Sequence, residues 1–125
     1  MNHYCWACYA VNDRPNGVCV ECGGQIAAPA GTSYVELLLW ELGHPLPDRQ
    51  LLAAEILGKL RDPRACEPLR RLASESADPY LAAQALRSLL AIDGATMHRA
   101  LLEELADTGA APARAVASRA LKELQ

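Results

Sequence analysis

The chain contains no phenylalanine, and aromatic residues make up only 5% of its 125 residues. A core built on large rings is thereby excluded. No stretch approaches the ~18 uninterrupted apolar residues that a transmembrane helix requires. An excess of positive charge is also missing: 12 Lys and Arg stand against 15 Asp and Glu, for a formal net charge of −3. Such a chain has no global attraction for nucleic acid or for an anionic membrane. The segment Met1-Asn2-His3-Tyr4-Cys5 has neither a basic region nor an apolar one. No signal peptide and a cytoplasmic location are therefore expected. Gly-rich phosphate loops and H-E-x-x-H motifs are absent as well. His44 and His98 stand without Cys or Asp at catalytic spacing, and no enzyme is expected. Disorder is excluded by what is present, since 51% of residues are hydrophobic and 22% charged. Alanine and leucine are abundant, and four of the five cysteines lie within the first 22 residues.

Those four are Cys5, Cys8, Cys19 and Cys22, two C-x-x-C pairs with ten residues between them. A C-x-x-C turn aims two sulfurs at one centre, and two such turns supply the closed tetrahedral set favoured by structural Zn²⁺. Asp13-Arg14-Pro15-Asn16-Gly17 reads as a hairpin turn between the pairs. Val18 and Val20 alternate about Cys19 as in a strand, and Gly23-Gly24 follows Cys22 where positive φ is needed. Residues 1–30 thus resemble a zinc ribbon. Two disulfides would need an oxidising compartment. A rubredoxin-like iron would use the same four sulfurs. Four thiolates leave no open position for catalytic water, so the metal is expected to be structural. His3 is read as a surface residue, not a ligand. About 30 residues cannot bury enough surface unaided, so the metal must contribute folding energy. Arg14 is the sole cation of this stretch, against Asp13 and Glu21. Tyr4, Trp6 and Tyr9 therefore read as a small core or protein contact, not a base-stacking surface.

Behind this module runs a repeat of 32 residues without gaps. Ala53, Leu57 and Leu60 recur as Ala85, Leu89 and Ile92, then as Ala117, Leu121 and Leu124. Leu37, Leu69 and Leu101 keep the same period, as do Pro47 and Pro79. Each copy (about 31–61, 62–93 and 94–125) reads as two helices. The first helices are expected at 33–43, 63–75 and 95–107, the second at 48–60, 79–92 and 111–124. Thr32 or Ser33, Asp62-Pro63 and Asp78-Pro79 mark starts; Gly43, Gly94 and Gly109 mark ends. Pro68 falls early in its helix and blurs that boundary.

Helix pairs of this length, with second helices such as Leu52-Ala53-Ala54-Glu55-Ile56-Leu57-Gly58-Lys59-Leu60 followed by Asp62-Pro63, resemble HEAT-like repeats of the phycobilisome-lyase type. The resemblance implies a mostly α fold: an α-solenoid of three helix pairs with a small N-terminal β-type zinc ribbon. That family includes chromophore lyases and their helpers, but no residue here marks a chromophore site. End repeats of a solenoid expose apolar surface unless capped. The ribbon is expected to cap the first repeat, across the short apolar linker Ile26–Gly31.

The helix from Tyr34 to Leu42 is apolar nearly all round and reads as a slab between ribbon and repeats. Alternatively Leu38, Leu39 or Trp40 forms a partner or dimer surface. Glu55, Arg87 and Arg119 occupy equivalent repeat positions and would line one face, either as a recognition ladder or as a solvated face. Cys66, at a helix start, reads as a reactive thiol or an inert buried one. The composite expectation is a non-enzymatic zinc-binding adaptor or accessory protein that binds a protein partner through the repeats, with homo-oligomerisation left open. The alternatives are nucleic-acid or nucleoprotein binding through the ribbon, or a maturation role related to bilin lyases.

Overall fold

The structure is a computed structural model that describes residues 2–124. Two short strands, β1 (His3–Tyr4) and β2 (Val11–Asn12), pair antiparallel with His3 opposite Asn12 and Tyr4 opposite Val11. Six α-helices follow: α1 (Tyr34–Glu41), α2 (Pro47–Leu60), α3 (Cys66–Glu75), α4 (Pro79–Asp93), α5 (Arg99–Thr108) and α6 (Ala111–Glu123). They form three antiparallel pairs, α1/α2, α3/α4 and α5/α6. The second helices pack side by side in the order α2–α4–α6, so α4 is the central element.

Local chemistry accounts for the helix starts. Ser33 accepts the Glu36 N–H, and the Glu36 carboxylate accepts the Ser33 N–H, a complete capping box for α1. The Asp78 carboxylate accepts the N–H groups of Tyr80 and Leu81 ahead of α4. Pro47 and Pro79 occupy first-turn positions where no N–H is needed. The expected start at residue 63 is not an α-helix. Pro63–Ala65 is a 3₁₀ turn, and α3 begins at Cys66. The shift places Pro68 inside the first turn of α3, where its missing N–H and its ring do no harm. The third copy has the same lead-in, with a 3₁₀ turn at Thr96–His98 before α5.

The repeat stripe carries the core. Ala53, Ala85 and Ala117 are all buried, as are Leu57, Leu69, Leu86, Leu89 and Leu102. Alanine here lets neighbouring helices approach without a bulky side chain between them. At Gly58 the approach is closer still: a Cβ there would sit 2.6 Å from the Ser88 hydroxyl oxygen. That hydroxyl donates to the Ala54 carbonyl at 2.7 Å, so the buried polar group linking α2 and α4 is satisfied. Leu60 and Leu37 depart from the stripe and are partly exposed, although Leu69 and Leu101 at the period of Leu37 are buried.

Candidate metal centre and its contact with the helices

The two C-x-x-C segments fold as near copies. In the first, the Tyr9 N–H donates to the Cys5 carbonyl (2.8 Å) and the Cys5 N–H to the Ala10 carbonyl (2.8 Å). In the second, Gly23 donates to Cys19 (3.1 Å) and Cys19 to Gly24 (2.8 Å). Each knuckle is the turn of its own minimal hairpin: β1 and β2 flank the first, and an antiparallel bridge between Val18 and Gln25 flanks the second. The hairpin expected at Asp13–Gly17 is therefore not formed. That segment is a bend joining two knuckles, with Gly17 at φ +95°. The Asn-Gly signal lost because pairing had already been claimed on either side of each cysteine pair. Val20 lies in a turn and not in a strand.

All four sulfurs lie within 4.8 Å of one another. Cys5 Sγ is 3.7 Å from Cys22 Sγ, and Cys8 Sγ is 3.7 Å from Cys19 Sγ. A disulfide would bring two sulfurs to about 2.05 Å. A tetrahedron with metal–sulfur bonds of about 2.3 Å has sulfur–sulfur edges of about 3.8 Å. The donor set thus fits one tetrahedral cation and not two disulfides. The first cysteine of each pair is buried and the second exposed.

Backbone donors already face the sulfurs. Ala7 N–H points at Cys5 Sγ (3.3 Å), Glu21 N–H at Cys19 Sγ (3.4 Å) and Gly24 N–H at Cys22 Sγ (3.3 Å). Buried Asn12 adds its side-chain amide to Cys19 Sγ at 3.5 Å, while its Oδ1 accepts the Val20 N–H. Cys19 is pulled down to about 6, chiefly by the Cys22 backbone N–H and then by the Asn12 amide. At Cys8 the Ala10 N–H lowers the pKa, but desolvation by its neighbours and hydrogen bonds from the other three sulfurs outweigh it, and the thiol rises to about 12. Four sulfurs this close cannot all ionise beside one another. A bound cation supplies the positive charge that lets them.

The module meets the helices through aromatic rings. Trp40, from α1, lies nearly parallel to Trp6 (centroids 5.2 Å apart) and to Tyr9 (4.9 Å). Its indole N–H donates to the Trp6 carbonyl at 2.7 Å, and the Tyr9 hydroxyl donates to the Trp40 carbonyl at 2.7 Å. His44 is 1% exposed and sits 4.3 Å from the Tyr4 ring. Its Nδ1 accepts the Leu46 N–H, so the neutral ring carries its proton on Nε2, which is buried without a hydrogen-bond partner. Burial, and then Arg49, hold the His44 pKa below its ordinary value. Gly43 is required here because a Cβ would meet the Tyr9 hydroxyl.

Tyr9 adopts φ +65°, where the second knuckle has Gly23 at φ +76°. A non-glycine residue in this region costs about 1–2 kcal/mol. The Tyr9 ring and hydroxyl, both committed to Trp40, offset that cost. Ile26, expected as linker, instead packs between Cys5 and Cys19 and belongs to the module.

These contacts settle the positions of the other candidate residues. Leu38 is buried in the helical core, Leu39 packs against it, and Trp40 is occupied by Trp6 and Tyr9. Leu39 and Trp40 are half-buried, and Leu39 also lines an open groove with Leu42, Pro68 and Leu72. Glu55, Arg87 and Arg119 are exposed on the second-helix face. Cys66 is half-buried, and burial, reinforced by the Asp93 carboxylate, pushes its thiol up to about 11. Asp93 also holds His98, with Nε2 to Oδ2 at 2.9 Å. The Asp93 carboxylate thus influences both the imidazole and the thiol, and this setting favours the protonated thiol. The sequence reading missed this Asp93–His98 pair, which spans the turn between copies two and three.

Side-by-side helix pairs with a shared layer of second helices define an α-solenoid. Residues 35–122 match the family of HEAT repeats, and the chain belongs to that family. No curated protein and no solved structure matches it. The four cysteines lie outside the matched range. No helix among the described residues is long and apolar enough to cross a membrane.

Proposed function

We propose that this is a cytoplasmic, non-enzymatic adaptor whose N-terminal module (residues 1–30) holds a structural Zn²⁺ on Cys5, Cys8, Cys19 and Cys22, and whose repeats (residues 31–125) bind a protein partner. The observation that carries the metal part is the set of sulfur separations, which match the edges of one tetrahedron. The thiolate-only donor set suits Zn²⁺ in a closed four-coordinate sphere. Stacking of Trp40 between Trp6 and Tyr9 supports a capping role, because the module then covers the outer side of the first helix pair. HEAT repeats commonly mediate protein–protein contacts, and the second-helix face presents exposed Glu55, Arg87 and Arg119 for one.

Metal analysis of the purified full chain tests the first half: one zinc per chain is expected, and iron or no metal would refute it. Crosslinked capture from the source cell tests the second. The native chain is expected to retain a protein that an Arg87→Glu, Arg119→Glu variant loses. Equal capture by both would refute the assignment of that face.

A further inference from the structure

Three arginines stand out on the second-helix layer. Arg61 closes α2, Arg87 lies on α4, and Arg119 lies 32 residues further on, on α6. All three are exposed, and none has a carboxylate within ion-pairing distance among the described residues. Of the other arginines, Arg49, Arg64, Arg70, Arg71 and Arg99 each have one, and Arg14 and Arg114, which do not line the grooves described next, do not. Arg61 and Arg87 share a groove of about 450 Å³, and Arg87 and Arg119 share the next, of about 330 Å³. Arg87 is therefore the common wall of a trough that crosses α2, α4 and α6. Lys59 also lines the trough, and the only acids lining it are Glu55 and Glu123. Glu55 is already paired with Lys59 at 3.4 Å. In a chain of net charge −3, this is a local excess of positive charge.

We propose that this trough binds an extended acidic segment of a partner protein, with carboxylates on Arg61, Arg87 and Arg119. The inference rests on the protein-binding reading above and names the chemistry of the partner. Packed helices have axes about 8–10 Å apart. An extended polyproline-type chain advances about 3.1 Å per residue with three residues per turn. Carboxylates at every third residue thus lie on one side, about 9 Å apart, the spacing of Arg87 and Arg119 on neighbouring helices; Arg61, six residues past the equivalent position on α2, would meet a carboxylate further along the segment. A nucleic acid is disfavoured because no aromatic side chain lines the trough to stack a base, and a few separated cations suit spaced carboxylates better than a continuous phosphate backbone.

Fluorescence anisotropy on the full, metal-loaded chain tests this. The probe is a labelled twelve-residue peptide with Glu at every third position in a Pro/Ala background. The comparison probes are its Gln counterpart and a single-stranded DNA of matching length. The Glu peptide is expected to bind, with affinity falling as salt rises. The Gln peptide should bind about tenfold more weakly or not at all. Arg87→Ala should lose about tenfold, and Arg119→Ala or Arg61→Asn about threefold each. Asn is chosen at position 61 because that residue has φ +54°, which Asn tolerates. Unchanged helical circular dichroism excludes misfolding. DNA binding as tight as the Glu peptide, or Glu-peptide affinity indifferent to the arginine variants, would overturn the proposal. So would no binding of the Glu peptide by the native chain. In that last case, partner capture that still depends on Arg87 and Arg119 would leave the adaptor reading standing with a partner of other chemistry.

Discussion

In the cysteine module the buried apolar residues are Cys5, Cys19 and Ile26; in the helical part they are leucines and alanines spread over all six helices. The module has too few side chains to shed water effectively, the balance at which a bound metal would have to supply folding energy. The helices have the opposite balance. Their core is continuous from repeat to repeat, and each pair supports the next. What joins the two regions is neither sulfur nor aliphatic packing but a cluster of rings. Of the chain's six Trp and Tyr residues, Tyr4, Trp6, Tyr9 and Trp40 all take part. A scarce residue type is concentrated where two unlike surfaces meet, because a flat ring covers area at little entropic cost and its polar edge satisfies a carbonyl.

The contrast can be broken most severely at the metal. Chelation, or Cys19→Ser, is expected to unfold the module, since structural zinc contributes on the order of 10 kcal/mol in small domains. The near-ultraviolet signal of Trp6 and Trp40 should collapse while most helical circular dichroism persists. Loss of both together would show that the helices depend on the module. The converse lesion is Leu89→Ala in α4, a fully buried position. It should cost about 2–5 kcal/mol in urea denaturation, with metal stoichiometry unchanged in the native state.

Trp40→Ala attacks the joint itself. Removing its stacking and its bond to the Trp6 carbonyl should cost about 2 kcal/mol. Protease should then cut within residues 27–31 faster than in the native chain, with metal still bound. An unchanged cutting rate would mean that the rings do not hold the module down. The smallest effect is expected from pH. His44 is neutral when docked, with its pKa depressed by burial, and takes up a proton near 6.5 when freed. Below that value the undocked form binds the extra proton, so docking weakens as pH falls from 7.5 toward 5.5. A His44→Gln variant should lose this dependence while metal release, followed separately, is unaltered.

The repeat was legible because its physics is local and periodic. Ala53, Ala85 and Ala117 declare a helical stripe through spacing alone, and the helix ends follow from Ser33, Pro47 and Asp78. The α3 boundary was blurred by Pro68, which acts through the carbonyl of the preceding turn. The four cysteines were legible because few chemistries need two C-x-x-C pairs. The strands around them were not. Two-residue strands carry no periodic signal, and the Asn-Gly turn at residues 16–17 pointed to a hairpin that the knuckles pre-empted. Tyr9 could have been noticed by aligning the knuckles, since it occupies the place of Gly23.

The helix pairs, their period and the sulfur set are written in the residues alone, because each depends on residues near one another along the chain or on one donor chemistry. Packing sets the rest: that Trp40 faces inward to the module, that His44 is sealed without a partner for Nε2, and that Asp93 holds His98 across a turn. It alone places Arg61, Arg87 and Arg119 along one trough. Those relations join side chains far apart in sequence, or turned toward one another across a bend, and they depend on how the helices and knuckles pack, which no local pattern encodes.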